Sequence, residues 1–370
     1  MSCDFINLAN PGIKQLSPYQ PGKPIDELER ELGISHIIKL ASNENPLGAG
    51  SRAQQAARHA CDNLHLYPDG SGYRLKQALA QTLGTPTNTI TLGNGSNDLL
   101  ELVARAFLAD GDEAIYSQHG FAIYPIVTLA CSATPVEVPA HFFGHDLDAM
   151  AAAITERTRV IFVANPNNPT GTWFHRSVLE AFLARVPERV VVVLDEAYFE
   201  YVEEANYPNG LDYIERYPNV IVLRTFSKIH GLAALRVGYG VSHPALADVL
   251  NRVRQPFNCN SVALAAAEAA LADNDHIEDS KSLNTAGLAQ LVEGLQQLGL
   301  KFIPSVANFL AIDCGREAAP IYQALLREGV IVRPIAGYGL PDYLRVTVGL
   351  ARENERFLAA LEKTMLNGEG

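Results

Sequence analysis

The stretch Val190-Val191-Val192-Val193-Leu194-Asp195-Glu196-Ala197-Tyr198 decides the fold of this chain. Its first five residues are all apolar, whereas a strand with one face in water would alternate apolar and polar residues. A continuous apolar run is typical of a central parallel strand that has both faces covered by helices. The run ends on Asp195, a carboxylate that is costly to bury unless a cation or several hydrogen-bond donors meet it.

Strand-like and helix-like segments alternate on both sides of this run, from about residue 43 to 255. The strand-like segments are 90–92, 113–116, 134–138, 160–163, 190–194, 220–223 and 237–241, and helical patterns lie between several of them at 73–83, 97–108, 121–131 and 176–185. This alternation predicts an α/β fold with a mainly parallel seven-stranded sheet between layers of helices.

A length of 370 residues suggests about two domains. The first 40 residues are rich in proline and turn formers, and Pro256 interrupts the alternating pattern further on. After Pro256 come helical patterns at 262–271, 285–298 and 353–365 and strand-like runs at 309–313, 330–332 and 344–348. We therefore predict an N-terminal arm (1–40) that packs with the small domain, a large domain (41–255) and a smaller α+β domain (256–370).

Composition excludes several classes of function. Lysine and arginine number 29 against 41 acidic residues, a net charge of −12 that argues against nucleic acid or an anionic membrane as partner. No apolar run approaches the roughly 18–20 residues of a membrane span, and no secretory signal pattern is present. Five widely spaced cysteines without a CxxC pair favour a reduced, cytoplasmic location over disulfides or a zinc site, and we predict no metal.

Unusual polar segments follow four of the predicted strands. In an open parallel sheet, ligands bind outside the carboxyl ends of the strands, so we expect these segments to converge on one site. The segments are Gly93-Asn94-Gly95-Ser96-Asn97-Asp98, Asn165-Pro166-Asn167-Asn168-Pro169-Thr170-Gly171, Asp195-Glu196-Ala197-Tyr198 and Thr225-Phe226-Ser227-Lys228.

Each segment suits part of a site for an anionic aromatic cofactor. A glycine-rich turn that leads into a helix presents backbone N–H groups and the positive end of a helix dipole to a phosphate. A protonated pyridine nitrogen would be a partner for Asp195, and Lys228 could bind an aldehyde covalently. Thr225, Ser227 and Arg236 could complete a phosphate cup, with hydroxyl donors and a guanidinium charge.

Simpler interpretations of the same residues remain open at this point. The turn could be an ordinary strand-to-helix connection capped by Ser96 or Asn97, and Asp195 could be a helix cap. Lys228 could be a solvated surface charge. The turn lacks the third glycine of GxGxxG, which disfavours a dinucleotide-binding dehydrogenase.

Taken together, the motifs resemble those of fold-type-I pyridoxal-5′-phosphate (PLP) aminotransferases. That resemblance rests on Asn168-Pro169-Thr170-Gly171, Asp195-Glu196-Ala197-Tyr198, Ser227-Lys228 and Arg236. Other stretches resemble the histidinol-phosphate aminotransferase family, namely Leu40-Ala41-Ser42-Asn43-Glu44-Asn45-Pro46, Tyr67-Pro68-Asp69-Gly70, Thr225-Phe226-Ser227-Lys228 and Leu344-Arg345-Val346-Thr347-Val348-Gly349. The resemblance runs from about Pro18 to the C-terminal helix, and the order of the motifs is what makes it specific.

The resemblance implies PLP as cofactor and a role for each polar residue. Lys228 would bind the PLP aldehyde and then move a proton between substrate and cofactor. Asp195 would keep the pyridine nitrogen protonated, so that the ring accepts electrons. Tyr198 and Asn168 would donate hydrogen bonds to the ring hydroxyl oxygen, with Asn168 also facing the substrate.

The resemblance also implies a set of contacts to the phosphate and the ring. The backbone N–H groups of Ser96 and Asn97 would bind the cofactor phosphate. The remaining phosphate contacts would come from Thr225, Ser227 and Arg236. Phe121 would stack on the ring, and a core phenylalanine on the helical pattern 121–131 remains the alternative.

Substrate and subunit contacts follow from the same resemblance. Tyr67 would reach the cofactor phosphate of the neighbouring subunit, which implies a homodimer. Arg345 would bind the substrate carboxylate or phosphate, and Arg333 would supply a second anion-binding guanidinium from a neighbouring strand. Tyr19 would close over the substrate. Surface pairing and packing remain open for Arg333 and Tyr19.

The implied activity is transamination between histidinol phosphate and 2-oxoglutarate, written in the biosynthetic direction of histidine synthesis. A broad aromatic aminotransferase acting on phenylalanine or tyrosine is the main alternative, and a threonine-phosphate decarboxylase shares the scaffold. A non-enzymatic PLP-binding protein is disfavoured, because Lys228 and both arginines form a full catalytic set.

Overall fold

The computed structural model describes residues 3–19 and 22–366. The strands are β1 (Ile38–Lys39), β2 (Ile90–Gly93), β3 (Glu113–Ser117), β4 (Thr134–Val138), β5 (Thr158–Ala164), β6 (Val191–Asp195), β7 (Val220–Thr225), β8 (Gly238–Ser242), β9 (Lys301–Ile303), β10 (Phe309–Asp313), β11 (Val330–Ile331), β12 (Arg333–Pro334) and β13 (Tyr343–Thr347).

The structure contains both α-helices and short 3-10 helices. The α-helices are α1 (Phe5–Leu8), α2 (Ile25–Leu32), α3 (Ser51–Ala60), α4 (Tyr73–Leu83), α5 (Ser96–Phe107), α6 (Ile123–Ala130), α7 (Leu147–Ala152), α8 (Arg176–Leu183), α9 (Pro244–Val253), α10 (Ser261–Leu271), α11 (Asn274–Gln297), α12 (Ala318–Arg327) and α13 (Ala351–Leu366). Short 3-10 helices span Pro11–Gln15, Cys61–Asn63, Thr87–Thr89, Phe199–Tyr201, Gly210–Tyr213, Ala233–Leu235 and Ala336–Tyr338.

The large sheet has seven strands in the order β2-β8-β7-β6-β5-β3-β4. Strands β3 to β7 are parallel to their neighbours within that set, and β8 runs antiparallel to both β7 and β2. Successive residues of β6 point into different cores. Val193 packs in one core with residues of α5 and α6, whereas Val192 packs in another with residues of α7 and α8. The sheet therefore confirms the predicted central strand with both faces buried.

A second sheet is antiparallel, in the order β12-β13-β10-β9, and β1 pairs with β11 in a separate parallel pair. Residues of α11, α12 and α13 share one apolar core with β10 and β13. Leu28 of α2 packs with Ala41 against Leu326 and Ile331, so residues near the N-terminus contact this part of the molecule. This half of the chain has the α+β character that the sequence predicts.

One helix packs elsewhere than the pattern suggests. Although α10 lies after Pro256, it packs on α3 and α4 and shares a core with β2 and β8 of the large sheet. Its alanines, Ala263, Ala266 and Ala267, are fully buried and allow close helix approach. The predicted helix 285–298 is only the second part of α11, and the predicted strand 330–332 covers β11. The domain boundaries at 40 and 255 stay predictions.

Residues 3–19 and 22–366 were compared with the requirements of a membrane-spanning helix and of a metal-binding cluster. No helix there is both long and apolar enough to cross a membrane. No group of three or more histidine, cysteine, aspartate or glutamate side chains there is arranged to hold a metal ion.

Candidate active site

A cavity of about 220 Å³ lies where the ends of β5, β6 and β7 meet the second sheet. That volume suits a small molecule, since one water occupies only about 30 Å³ of liquid. The predicted site residues that line it are Tyr19, Ser96, Asn97, Phe121, Asn168, Asp195, Tyr198, Thr225, Ser227, Lys228, Arg236, Arg333 and Arg345. The four polar segments therefore converge as expected from a parallel sheet.

Asp195, the last residue of β6, presents an incompletely paired carboxylate to the cavity. It is 6% exposed, and its Oδ2 accepts a hydrogen bond from the Tyr124 hydroxyl at 3.0 Å. Its Oδ1 is buried and has no hydrogen-bond partner among the described residues. Burial raises the pKa of Asp195 to about 6, because the charged form loses its hydration. A ligand that brings a cationic N–H group to Oδ1 would complete this arrangement.

Lys228 stands in the turn after β7 with its amine at the cavity. Its Nζ donates a hydrogen bond to the Ser42 carbonyl at 3.0 Å and lies 5.6 Å from the centre of the Tyr198 ring. Burial, together with the positive charge of Arg345, lowers the pKa of Lys228 to about 7. A substantial fraction of the amine is thus neutral near pH 7, which is the form that attacks a carbonyl.

The turn before α5 forms a cradle for an anion. Gly95 has a φ of +84°, and α5 begins at Ser96 with its N-terminus at the cavity. A Cβ at Gly95 would lie 2.3 Å from a guanidinium nitrogen of Arg236, so a side chain there would displace the guanidinium and would also be strained by the positive φ. Arg236 donates to the Ser227 hydroxyl at 3.3 Å, and the Ser227 N–H donates to the Thr225 hydroxyl at 3.1 Å. The backbone donors, hydroxyls and guanidinium suit a phosphate.

Tyr198 and Asn168 flank the cavity beyond Asp195. The Tyr198 hydroxyl accepts a hydrogen bond from Asn43 Nδ2 at 2.8 Å, and burial raises the pKa of Tyr198 to about 12. Asn168 Oδ1 accepts a hydrogen bond from Arg345 Nη1. Its Nδ2 is therefore the group that can donate to a ligand. Both residues are placed to offer hydrogen-bond donors to one molecule in the cavity.

Arg333 and Arg345 face the cavity from the second sheet. They are directly paired across β12 and β13, so both side chains leave the same face. Arg345 is 6% exposed and donates to the Ala41 carbonyl at 2.7 Å, while the Arg333 guanidinium lies 5.7 Å from the centre of the Tyr19 ring. Like charges directly opposite are unfavourable in a sheet. An anion bound between the two guanidiniums would offset this repulsion and be attracted by both of them.

Phe121 is placed both to contact a ligand and to pack in the core, the two roles that its sequence position allows. It lines the cavity, and it also packs against the core beneath it. Its ring meets the Tyr124 ring edge-on, with centroids 5.9 Å apart. One face of the side chain is thus supported by the core while the residue borders the ligand space.

Tyr67 is the predicted site residue that the structure leaves outside the cavity of its own chain. Its side chain is 84% exposed and stacks on Phe257, with ring centroids 4.9 Å apart. This position is compatible with a contact to another subunit and not with one to its own cavity.

Several functional contacts come from residues to which the sequence assigned no role. Tyr124 holds Asp195, and Asn43 holds Tyr198. Asn43 lies in the stretch 40–46, where the family resemblance implies no role for it. Tyr124 is three residues from Phe121 in the predicted helical pattern 121–131, a spacing that places both on one side of a helix, and this is the signal that points to Tyr124. In the structure α6 begins at Ile123, so Phe121 lies just before the helix. Tyr338 also lines the cavity.

The chain is similar to known proteins along nearly its whole length. The family described as "Aminotransferase class I and II" matches residues 35–361. The chain is 61% identical to histidinol-phosphate aminotransferase 2 of Pseudomonas fluorescens strain Pf-5, over 99% of each chain. It is 60% identical to histidinol-phosphate aminotransferase 2 of Pseudomonas aeruginosa, over 98% of this chain and 99% of the relative.

Solved structures show the same fold. The histidinol-phosphate aminotransferase of Sinorhizobium meliloti, crystallised in complex with pyridoxal-5′-phosphate, has a TM-score of 0.89 at 31% identity and covers 97% of each chain. Aspartate aminotransferase of Thermus thermophilus has a TM-score of 0.83 at 21% identity, over 96% of this chain and 99% of that one. The second likeness concerns the fold alone.

Proposed function

The chain belongs to the class I and II aminotransferase family, and from this membership we propose that it transfers an amino group between L-histidinol phosphate and 2-oxoglutarate. The family predicted from the motifs is thereby confirmed. One observation carries the proposal: a single cavity joins the amine of Lys228, the unpaired carboxylate oxygen of Asp195 and the paired guanidiniums of Arg333 and Arg345. Full-length identity of about 60% to histidinol-phosphate aminotransferases supports the choice of substrate.

The residues of the cavity fit PLP as the cofactor. The orphaned Oδ1 of Asp195 suits a protonated ring nitrogen, and the turn at Gly95 with Arg236 suits the phosphate. Lys228 is the amine that would hold the aldehyde. When bound, PLP supplies a carbonyl that takes up amino groups and a ring that accepts electrons.

The protein's own groups then hold and move protons. Asp195 holds the proton on the ring nitrogen, since a buried carboxylate is stabilised by a cationic partner. Lys228 Nζ, with its pKa lowered to about 7, moves the proton at the substrate Cα. Tyr198 and Asn168 orient the ring through its hydroxyl oxygen.

Recognition of substrate rests on the two arginines. Arginine binds carboxylate and phosphate with a fixed fork of donors, and a phosphate dianion needs more donors than a carboxylate. Arg345 and Arg333 meet that need from one face of the second sheet, and Tyr19 lies beside Arg333 where it can cover the substrate. Glutamate donates its amino group in one half-reaction, and imidazole acetol phosphate accepts it in the other.

We further propose a homodimer in the cytoplasm, with Tyr67 serving the partner's site. Exposed apolar side chains support the dimer: Leu64 and Leu66 are 67% and 59% exposed, and the stacked Tyr67 and Phe257 are 84% and 46% exposed. Patches of this kind mark protein interfaces. All five cysteines are free, which supports a reducing compartment.

A side-by-side steady-state assay tests the substrate. Histidinol phosphate, phenylalanine and tyrosine would each be measured against 2-oxoglutarate with the PLP-loaded protein. We expect kcat/KM to be highest for histidinol phosphate. Activity confined to phenylalanine and tyrosine would replace the proposal by a broad aromatic aminotransferase, and a visible absorbance band that glutamate leaves unchanged would point to a PLP-binding protein without transaminase activity.

A further inference from the structure

Phe257 adopts a backbone conformation that its side chain disfavours. Its φ is +57°, a region in which a bulky non-glycine residue is a genuine outlier. Such strain persists only where the surroundings enforce it, and it clusters at functional positions. The strained backbone places the Phe257 ring on Tyr67, with centroids 4.9 Å apart and planes inclined by 26°.

Residues 254–258, the segment that includes Phe257, also contact the loop that carries Tyr67. Arg254 Nη2 donates a hydrogen bond to the Gly70 carbonyl at 2.8 Å. At Gly70 an added Cβ would lie 3.3 Å from the Phe257 ring, so the loop and the ring are closely packed. Two independent contacts therefore fix the loop relative to residues 254–258.

The same segment is anchored to the phosphate-binding turn of its own chain. Arg254 Nη1 donates to Asn258 Oδ1 at 2.7 Å, and Asn258 Nδ2 donates to Asp98 Oδ2 at 2.8 Å and to the Leu92 carbonyl at 3.1 Å. Asp98 in turn accepts from the Asn94 N–H at 2.8 Å. The support of Tyr67 is thus tied by hydrogen bonds to the end of β2 and the start of α5.

We propose that Phe257, held by Arg254 and Asn258, is a positioning residue that directs Tyr67 into the cofactor phosphate site of the second subunit. This inference rests on the proposed PLP-binding homodimer. An exposed tyrosine loses side-chain entropy when it is ordered on a ligand. Stacking on Phe257 orders the Tyr67 ring before the phosphate arrives, so less affinity is lost on binding.

Titration of the cofactor-free dimer with PLP, followed by absorbance, tests the coupling without measuring turnover. Tyr67→Phe should weaken PLP affinity roughly tenfold, the usual effect of one lost hydrogen bond to a charged group. Phe257→Asn should weaken it roughly three- to tenfold, since asparagine tolerates a positive φ but cannot stack. Phe257→Tyr, which keeps the ring, should restore wild-type affinity. Arg254→Gln should reproduce the loss through the other contact.

A double-mutant cycle separates positioning from general damage. In a Tyr67→Phe background, Phe257→Asn should change PLP affinity by less than about twofold, because the hydroxyl that it positions is already gone. A further loss as large as in the wild-type background would overturn the proposal, as would wild-type affinity in Phe257→Asn itself.

Mixed dimers test whether the effect crosses the interface. A Phe257→Asn chain paired with a Lys228→Ala chain should contain one site with wild-type PLP affinity, built from the first chain's Lys228 and the second chain's Tyr67. If Phe257 instead affects the PLP site of its own chain, that site should bind PLP more weakly than wild type. The inference would then be wrong, whereas the proposed homodimer would be unaffected. If the wild-type protein binds no PLP or is monomeric, the proposed function fails instead.

Discussion

At the residue scale, Asp195 and Lys228 are electrostatically incomplete without a ligand. Burial brings the pKa of the carboxyl up to about 6 and helps to bring that of the amine down to about 7. Each group is therefore costly to keep charged, and a ligand with a cationic nitrogen and a reactive carbonyl relieves both costs. Strongly perturbed pKa values of neighbouring groups in one cavity are typical of functional sites.

The carboxylate of Asp195 should lower the stability of the cofactor-free protein and raise the turnover of the PLP-loaded protein. Its folded pKa of about 6 exceeds the unfolded value of about 3.9, so the folded state binds the proton more tightly. Stability of the cofactor-free protein then falls as pH rises from about 4 through 6. Asp195→Asn should remove this dependence and stabilise the cofactor-free protein at pH 7.5 by up to about 3 kcal/mol, while turnover drops by orders of magnitude.

Urea unfolding at pH 5 and pH 7.5, together with kcat of the PLP-loaded protein, checks both effects. Asp62→Asn, at an exposed carboxylate, is the matched control and should change neither quantity. Wild-type turnover in Asp195→Asn would mean that this carboxylate is only structural.

Lys228 should be the lysine that carries the cofactor. Lys228→Arg keeps a cationic side chain but removes the primary amine, so covalent attachment and transamination should both be lost. Borohydride reduction of the PLP-loaded protein followed by peptide mapping should place the label on Lys228. The Lys281→Ala variant, changed at a lysine of α11 that does not line the cavity, should label normally at Lys228. Label on any other lysine would end the assignment.

At the scale of elements, the sequence predicts what short local patterns encode. The uniform apolar run of β6 predicts burial on both faces of that strand. Polar residues at the strand ends indicate where a ligand binds, because parallel topology brings those ends together. Register between distant strands leaves no such trace. That Arg333 lies opposite Arg345 depends on the pairing of β12 with β13, and Pro256 could not indicate that α10 returns to the large sheet.

Arg333 on β12 and Arg345 on β13 should contribute differently to the binding of different substrates. Arg345 is buried and lines the cavity, so Arg345→Gln should impair every substrate. Arg333 should matter more for histidinol phosphate, or for the distal carboxylate of glutamate, than for phenylalanine. Each lost charge-assisted contact should cost about 1.5–3 kcal/mol, or roughly tenfold to a hundredfold in kcat/KM.

Steady-state kinetics of Arg333→Gln and Arg345→Gln on histidinol phosphate and phenylalanine measure this division. Arg352→Gln, on the exposed start of α13, serves as the control. If Arg333→Gln loses the same factor on both substrates, the two arginines do not share one anion and the account of specificity is wrong.

At the scale of the whole molecule, one chain supplies nearly all of the site. The large sheet offers the groups that suit a cofactor, and the second sheet offers the arginines that suit a substrate anion. Tyr67 is the exception, because it is exposed and does not line the cavity of its own chain. A symmetric dimer would let each chain complete the other's site.

Complementation between defective chains tests this exchange. Tyr67→Phe and Lys228→Ala homodimers should each be impaired, the second almost completely. In a mixed dimer, the Lys228→Ala chain would receive the altered Tyr67, so one site carries both defects and the other carries neither. Activity per mixed dimer should therefore recover to about half of the wild-type value, measured after separation of the mixed species by differently tagged chains. Absence of recovery in verified mixed dimers would mean that Tyr67 acts within its own chain, and the exposed stack with Phe257 would then need another explanation.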